Sequence, residues 1–229
     1  MGRRSCGWLA QRCGLLLAAL IGCAAPAAAQ SLAVLAFGDS LTAGFGLPVE
    51  AAFPARLEAR LRADGIAARV VNAGVSGDTT TAGLARLDWA LAEKPDIVIL
   101  ELGANDALRG IDPAVVRANL DAMIVKTLAS GATLLLAGMR APTNWGEEYR
   151  QKFDRLYPEL AHARGVTLYP FFLDGVAMDP ELNQADGLHP NARGVATLVE
   201  RIAPSVADLI KSRLIQSRLI KSRLIGGRP

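Results

Sequence analysis

The chain has 229 residues, of which 51% are hydrophobic, and this length suits one domain with a sizeable core. Its 25 basic residues are unevenly spread: three lie in the first 29 residues and six in the last 19, so residues 30–210 carry 16 basic against 22 acidic residues, a net charge of −6. An acidic body does not favour nucleic-acid binding, and we expect no nucleic-acid partner.

The first 29 residues are typical of a secretory signal peptide. Three arginines open the segment, and they are followed by an apolar run, 14–25, that is too short for a membrane span. Pro26 and the small residues 27–29 then supply a cleavage site ahead of Gln30. We therefore predict a signal peptide at 1–29 and a periplasmic or secreted protein.

All three cysteines, Cys6, Cys13 and Cys23, lie within this predicted signal. A mature chain that begins near Gln30 therefore has no thiol, which excludes disulfides, a cysteine nucleophile and thiolate metal sites. The run Leu20-Ile21-Gly22-Cys23 also resembles a bacterial lipobox. Lipid attachment at Cys23, which would anchor the protein, is the alternative interpretation.

After the signal, apolar runs alternate with helical patterns. Strands are predicted over 32–37, 69–72, 96–102, 133–138 and 166–169. Helices are predicted over 53–63, 80–93, 113–130, 147–164 and 191–210. This alternation implies right-handed crossovers and one parallel sheet with helices on both faces, so we predict an α/β fold built as a three-layer sandwich.

Residues 211–229 form a basic tail with a repeated Ser-Arg-Leu-Ile motif of period five. On a helix this period advances about 140° per repeat, so the Leu-Ile pairs do not share one face. We predict a helical extension that frays into a solvated tail. The alternative is a weak anchor on anionic membrane surfaces.

Polar residues follow the first three predicted strands: Gly38-Asp39-Ser40, Ser76-Gly77-Asp78 and Gly103-Ala104-Asn105-Asp106. In an open parallel sheet, ligands bind outside the carboxyl ends of the strands. These three segments are therefore predicted to meet at one site.

The chain has two histidines and therefore only two candidates for a general base. His162 falls within a helical pattern, far from the strand ends. His189 lies in a loop before the last helix, and Asp186 precedes it by three residues. Because Gly187 permits a tight turn, the Asp186 carboxylate can reach Nδ1 while Nε2 faces a nucleophile. An ordinary turn before a helix is the alternative for this segment.

Ser40 is the candidate nucleophile, since a serine at a strand-to-helix turn presents its hydroxyl to the cleft and its own N–H to an oxyanion. A lone Gly-Asp-Ser is a weak signal. The Gly-x-Ser-x-Gly elbow of α/β-hydrolases is absent from this segment, which argues against that fold. Ser76 is the rival serine, but no histidine motif is placed for it.

Taken together, four blocks resemble those of SGNH hydrolases of the GDSL type in order and spacing. The blocks are Gly38-Asp39-Ser40-Leu41, Ser76-Gly77-Asp78-Thr79, Gly103-Ala104-Asn105-Asp106 and Asp186-Gly187-Leu188-His189-Pro190. The resemblance covers 32–209 and is strongest to the bacterial multifunctional acyl-CoA thioesterase/lysophospholipase/arylesterase group. It implies a flavodoxin-like order of about five strands and a serine esterase of carboxylic esters and thioesters. It implies neither a metal nor an organic cofactor, and no obligate protein partner.

The resemblance also implies roles for individual residues. Ser40 attacks the acyl carbonyl, His189 takes and returns the proton, and Asp186 fixes the imidazole tautomer. The oxyanion is held by the N–H groups of Ser40 and Gly77 and by the side-chain amide of Asn105. A mobile loop at 107–112 lies beside the acyl groove, and its substrate-binding residues are Leu108, Arg109 and Gly110.

Three neighbouring residues carry smaller expectations. Asp39 and Asp106 are expected to brace their loops by accepting backbone hydrogen bonds rather than to bind metal. Ala104 stands where the resembling group often has a second glycine, so we expect a slightly stiffer loop.

Residues 30–210 are thus predicted to be the SGNH hydrolase domain, acting on a small-molecule ester or thioester. Two alternatives remain open. One is carbohydrate deacetylation on the same fold, and the other is a binding module that lacks catalysis.

Overall fold

The computed structural model describes residue 2 and residues 31–226, apart from the side chains of 218, 220, 221 and 223–226. The predicted signal peptide and Cys23 lie outside the described residues. Among the residues that are described, no helix is both long and apolar enough to cross a membrane.

In the part of the chain that the structure describes, one sheet of five parallel strands forms the centre of the fold. Its strands are β1 (Leu32–Gly38), β2 (Ala68–Gly74), β3 (Ile97–Glu101), β4 (Thr133–Ala137) and β5 (Thr167–Tyr169). Their order is β2-β1-β3-β4-β5, which confirms the predicted α/β sandwich with flavodoxin-like strand order. Strand β3 is buried along its whole length because helices cover both faces of the sheet.

Within residues 31–226, eight α-helices surround the sheet in two layers. They are α1 (Ser40–Ala43), α2 (Phe53–Ala63), α3 (Thr80–Leu91), α4 (Ala104–Leu108), α5 (Pro113–Ala129), α6 (Glu147–Asp154), α7 (Leu156–Arg164) and α8 (Ala192–Gly226). Helix α2 packs against α8, while α5 packs against α3 and α7. Short 3-10 turns span Val49–Ala51 and Thr143–Trp145.

The predicted single helix over 147–164 was wrong, because the segment forms two helices that meet at Arg155. Pro158 explains the break. Proline has no backbone N–H, so the carbonyl of Asp154, four residues earlier, cannot receive its helical hydrogen bond.

The last helix was predicted over 191–210 with a helical extension after it, and α8 runs without a break from Ala192 to Gly226. Between Pro204 and Gly226 the chain contains neither glycine nor proline, and its Lys, Arg and Leu residues are good helix formers. Leu214, Ile215 and Leu219 are exposed in this extension.

The sheet brings the polar segments together through its register. Gly38, the last residue of β1, pairs with Gly74 on one side and with Glu101 on the other. The loops that follow β1, β2 and β3 therefore start side by side at one edge. The candidate site lies at this edge.

Candidate active site

Ser40, His189 and Asp186 form one hydrogen-bonded chain. His189 Nε2 lies 2.9 Å from Ser40 Oγ, and His189 Nδ1 lies 2.7 Å from Asp186 Oδ2. The other histidine, His162, is exposed on α7. The structure thus brings together the three residues that were predicted as a triad, although Ser40 and His189 are 149 positions apart in the chain.

The turn after Asp186 holds its carboxylate in place. Asp186 Oδ1 accepts the backbone N–H groups of Leu188 and His189 at 2.9 and 3.0 Å. The hydrogen bond from the His189 backbone, followed by that from its ring, lowers the pKa of Asp186 to about 2. Because an ionised carboxylate can only accept, the proton at this contact belongs to His189 Nδ1, which leaves Nε2 free to accept from Ser40.

Two residues that the sequence analysis missed support the histidine loop. Gln184 donates its side-chain N–H groups to the carbonyls of Phe45 and Pro190, and its backbone N–H donates to His189 O at 2.8 Å. The ring of Phe45 in turn packs against the His189 imidazole. Neither residue has a sequence signal that links it to the other, since Phe45 and Gln184 are 139 positions apart.

Two backbone N–H groups at the edge of the sheet are free to bind an anion. Ser40 is the first residue of α1, and neither its N–H nor that of Gly77 donates to an acceptor among the described residues. A Cβ built on Gly77 would contact only Arg109 Nη2, at 4.0 Å, so the space around Gly77 is open. Both groups are therefore available as oxyanion donors.

The third expected donor, Asn105, lies on the short helix α4. Its Nδ2 donates to Asp39 Oδ2 at 3.0 Å, and this bond uses one of its two amide hydrogens. Asp39 also caps α1 by accepting the Leu41 N–H at 3.0 Å, as expected of a residue that braces its loop. One buried carboxylate thus holds both the nucleophile turn and the Asn105 amide.

A second carboxyl group, Glu101, lies beneath the nucleophile turn and was missed by the sequence analysis. Its Oε2 accepts the Thr42 hydroxyl at 2.7 Å and the Asp39 N–H at 3.4 Å, whereas Oε1 has no partner among the described residues. Burial raises the pKa of Asp39 to about 6. Burial, followed by the nearby Asp39 charge, raises the pKa of Glu101 well above its usual value.

Asp106 braces a neighbouring segment instead of its own loop. It accepts the backbone N–H and the hydroxyl of Thr80, at 2.8 and 2.7 Å, and so fixes the first residue of α3. Across the described part of the chain, no three His, Cys, Asp or Glu side chains are grouped so that they could hold a metal ion.

The predicted substrate-binding residues lie at the end of α4, beside the Gly77 turn. Arg109 donates to Gly77 O at 3.1 Å, and Leu108 is exposed. Gly110 faces the ring of Trp145, whose indole N–H donates to Ala107 O at 2.7 Å. The segment that was predicted as a loop over 107–112 therefore begins within a helix and is held by Trp145.

Comparison with known proteins agrees with this geometry. The chain matches the GDSL-like Lipase/Acylhydrolase family over residues 36–196. It is 44% identical to Esterase TesA of Pseudomonas aeruginosa over 185 residues, which cover 80% of this chain and 91% of that protein. It is 38% identical to Thioesterase 1/protease 1/lysophospholipase L1 of Escherichia coli K12, with coverage of 80% and 86%.

The fold is shared with solved structures as well. The esterase AlinE4, an SGNH hydrolase, superimposes with a TM-score of 0.67 at 49% identity, over 79% of this chain and 97% of that one. By sequence and by fold, the chain belongs to the GDSL-like lipase/acylhydrolase family.

Proposed function

We propose that this protein hydrolyses carboxylic esters and thioesters through an acyl-enzyme on Ser40. The observation that carries the proposal is the chain of hydrogen bonds from Asp186 through His189 to Ser40, at 2.7 and 2.9 Å, next to free backbone N–H groups. A nucleophile, a base, an orienting carboxylate and oxyanion donors are the four parts that acyl transfer requires.

The first half of the reaction acylates the enzyme. Ser40 Oγ attacks the substrate carbonyl carbon while His189 Nε2 takes the hydroxyl proton, and the negative charge moves to the carbonyl oxygen. That oxygen is bound by the N–H groups of Ser40 and Gly77 and by the Asn105 amide. The tetrahedral intermediate then collapses, and the leaving alkoxide or thiolate takes the proton from His189.

The second half repeats these steps with water. His189 takes a proton from a water molecule as its oxygen attacks the acyl carbon, a second oxyanion forms in the same place, and the proton returns to Ser40 Oγ as the carboxylic acid leaves. Ionised Asp186 stabilises the imidazolium in both halves.

The substrate class that we propose is acyl groups of short to medium length on aryl, thioester or lysophospholipid leaving groups. The named activities of the relatives support it, since one is called an esterase and another a thioesterase and lysophospholipase. Apolar side chains exposed on the segments around Ser40 also support it: Phe45, Val75, Leu108, Trp145 and Leu188. An apolar rim suits an acyl chain better than the sugar ring of a deacetylase substrate.

The test is hydrolysis of p-nitrophenyl esters from acetate to palmitate by the purified protein and by its Ser40→Ala variant. We expect activity with chains longer than acetate and a loss of activity in the variant. Equal rates in the two proteins would exclude Ser40 as the nucleophile. A rate that collapses beyond acetate would favour carbohydrate deacetylation.

We also propose that the protein is exported and released after residue 29. The arginines followed by an apolar run and small residues support this placement. Cell fractionation tests it: we expect the protein in the soluble exported fraction both with Cys23 and with Cys23→Ser. A membrane-bound protein that Cys23→Ser releases would establish lipid anchoring instead.

A further inference from the structure

Arg86, on helix α3, connects the ends of two strands behind the candidate site. It donates from Nη2 to Gly38 O at 2.8 Å, from Nη1 to Ala73 O at 2.9 Å and from Nε to Asp78 Oδ2 at 2.6 Å. Its guanidinium also lies over the ring of Phe37, 4.0 Å from the centroid. One planar group thus contacts the end of β1, the end of β2 and the turn that follows β2.

Two of the residues that Arg86 contacts are close in sequence to the two free backbone N–H groups. Gly38 precedes Ser40 by two residues, and Asp78 directly follows Gly77. A guanidinium presents its N–H groups in a rigid fork, so three simultaneous hydrogen bonds fix their acceptors relative to one another. Arg86 therefore couples the position of the nucleophile turn to that of the Gly77 turn.

The sheet does not need Arg86 for its own register. Strands β1 and β2 already pair along their whole length, from Leu32↔Ala68 to Gly38↔Gly74. The ladder ends there. Beyond it, the backbone link between the two turns is the bond from Val75 N–H to Gly38 O at 3.0 Å.

The environment of Arg86 strengthens the link. The side chains of Arg86 and Asp78 are 21% and 12% exposed, so solvent screens this ion pair less than it screens the surface pairs of the chain. The ring of Phe37 supports the guanidinium from one side.

We infer that Arg86 is a positioning residue that sets the separation between the Ser40 and Gly77 N–H groups, and so preorganises the site for the oxyanion. It acts through Gly38 and Asp78 and does not touch the reacting atoms. This inference rests on the proposed function, because it assigns those N–H groups to the oxyanion.

The experiment compares the Arg86→Met and Arg86→Lys variants with Arg164→Met. Arg164 is a matched control, since it forms a two-pronged ion pair with Asp121, at 2.6 Å for both bonds, on α7 and α5. Methionine keeps the apolar stem of arginine but removes its donors. Lysine keeps the charge but cannot make three bonds in a fixed plane.

We expect Arg86→Met to lower kcat on p-nitrophenyl butyrate by about 10- to 100-fold, because a displaced oxyanion donor costs less than the 10²- to 10³-fold seen when one is lost. KM should change less than about threefold, since the donors act mainly on the transition state. Arg86→Lys should recover only part of the loss, and Arg164→Met should keep the wild-type kcat.

A second measurement separates positioning from a general structural role. The proton that His189 Nδ1 shares with Asp186 is expected to give a downfield NMR resonance, which should persist in a folded Arg86→Met protein whose kcat has fallen. Loss of that resonance, or an equal loss of kcat in Arg164→Met, would overturn the inference. A kcat of Arg86→Met within threefold of the wild-type value would overturn it too.

Two further comparisons keep the outcomes distinct. If circular dichroism shows that Arg86→Met does not fold, the Arg86→Lys variant is used instead. A folded Arg86→Lys protein with lowered kcat supports the inference, and a folded one with the wild-type kcat overturns it. The Ser40→Ala protein sets the baseline. If the wild-type protein is no more active than this baseline, the proposed function is wrong. If the wild-type protein is active but the Arg86 variants keep its kcat, only the inference about Arg86 is wrong.

Discussion

The aromatic ring of Phe45 packs against the imidazole of His189, with ring centroids 4.6 Å apart and planes inclined by 37°. The backbone carbonyl of Phe45 also accepts a hydrogen bond from Gln184, which bonds the His189 loop through its backbone N–H. Phe45 is therefore held to the His189 loop by its ring and by its main chain. The packing restricts tilting of an imidazole whose edges face Ser40 and Asp186.

Replacing Phe45 by alanine should lower kcat by about 3- to 10-fold, because an aromatic pair contributes about 0.5–1.5 kcal/mol beyond its buried area. Phe45→Tyr keeps the ring and should retain activity. Rates on p-nitrophenyl butyrate compare the variants. A wild-type kcat in Phe45→Ala would show that Asp186 and the hydrogen bonds of Gln184 hold the imidazole in place without the Phe45 ring.

Asn105→Ala removes one of the three expected oxyanion donors. We expect kcat to fall by about 10²- to 10³-fold. The variant should stay folded with a lowered thermal midpoint, since the lost protein contact is one hydrogen bond to the buried Asp39 carboxylate, a contribution of about 1.5–3 kcal/mol. Steady-state kinetics and thermal unfolding of the same preparation test both parts. A folded variant with normal turnover would remove Asn105 from the proposed mechanism.

Gly187 has φ of +69° in the turn between Asp186 and His189, and a Cβ there would meet no atom within 4 Å. Gly65 matches it away from the site, with φ of +75° and equally open surroundings. Alanine at either position should cost about 1 kcal/mol of stability from backbone strain. Only Gly187→Ala should also lower kcat, since it alone shifts Asp186 relative to His189. Equal kcat in the two variants would contradict this expectation.

The raised pKa of Glu101 gives a pH dependence of stability with a defined sign. The folded protein binds this proton more tightly than the unfolded chain, so the contribution of Glu101 is complete below its unfolded pKa of 4.5 and is lost as the pH rises. Glu101→Gln keeps a neutral side chain at every pH. Its free energy of unfolding should therefore improve relative to wild type as the pH rises from 4.5 to 8.

Urea unfolding of Glu101→Gln and wild type at both pH values tests this prediction. Glu50→Gln is the control, because Glu50 is exposed in a surface turn. A difference between Glu101→Gln and wild type that stays the same at pH 4.5 and 8 would show that Glu101 ionises normally within the fold.

The parts of the fold that follow local patterns were predictable. The alternation of apolar runs with helical periods predicts the five parallel strands, and turn residues after strands predict the edge where Ser40 and Asn105 lie. The Asp186–His189 contact was also accessible, since it is set within four residues. Even the break at Arg155 had a sequence signal, because Pro158 cannot continue a helix from Asp154.

The remaining features depend on contacts between distant positions. Arg86 bonds Gly38 across 48 positions, and Thr42 bonds Glu101 across 59. An arginine in a helical pattern is typical of a solvated face, and a glutamate that ends an apolar run is typical of the start of a loop. Only the packed fold places either one behind the nucleophile turn.

The Ser40–His189 hydrogen bond joins positions 149 residues apart, so the nucleophile belongs to the first βα unit of the domain and its base belongs to the segment that leads into the last helix. Closing a contact of this range is slow and entropically costly compared with forming a local turn. A chain that has formed its sheet but has not yet docked the segment before α8 is therefore inactive, because His189 is not in contact with Ser40. During refolding, ester hydrolysis should appear later than the far-ultraviolet circular dichroism signal of secondary structure. The time course of esterase activity therefore measures the rate at which the segment before α8 docks.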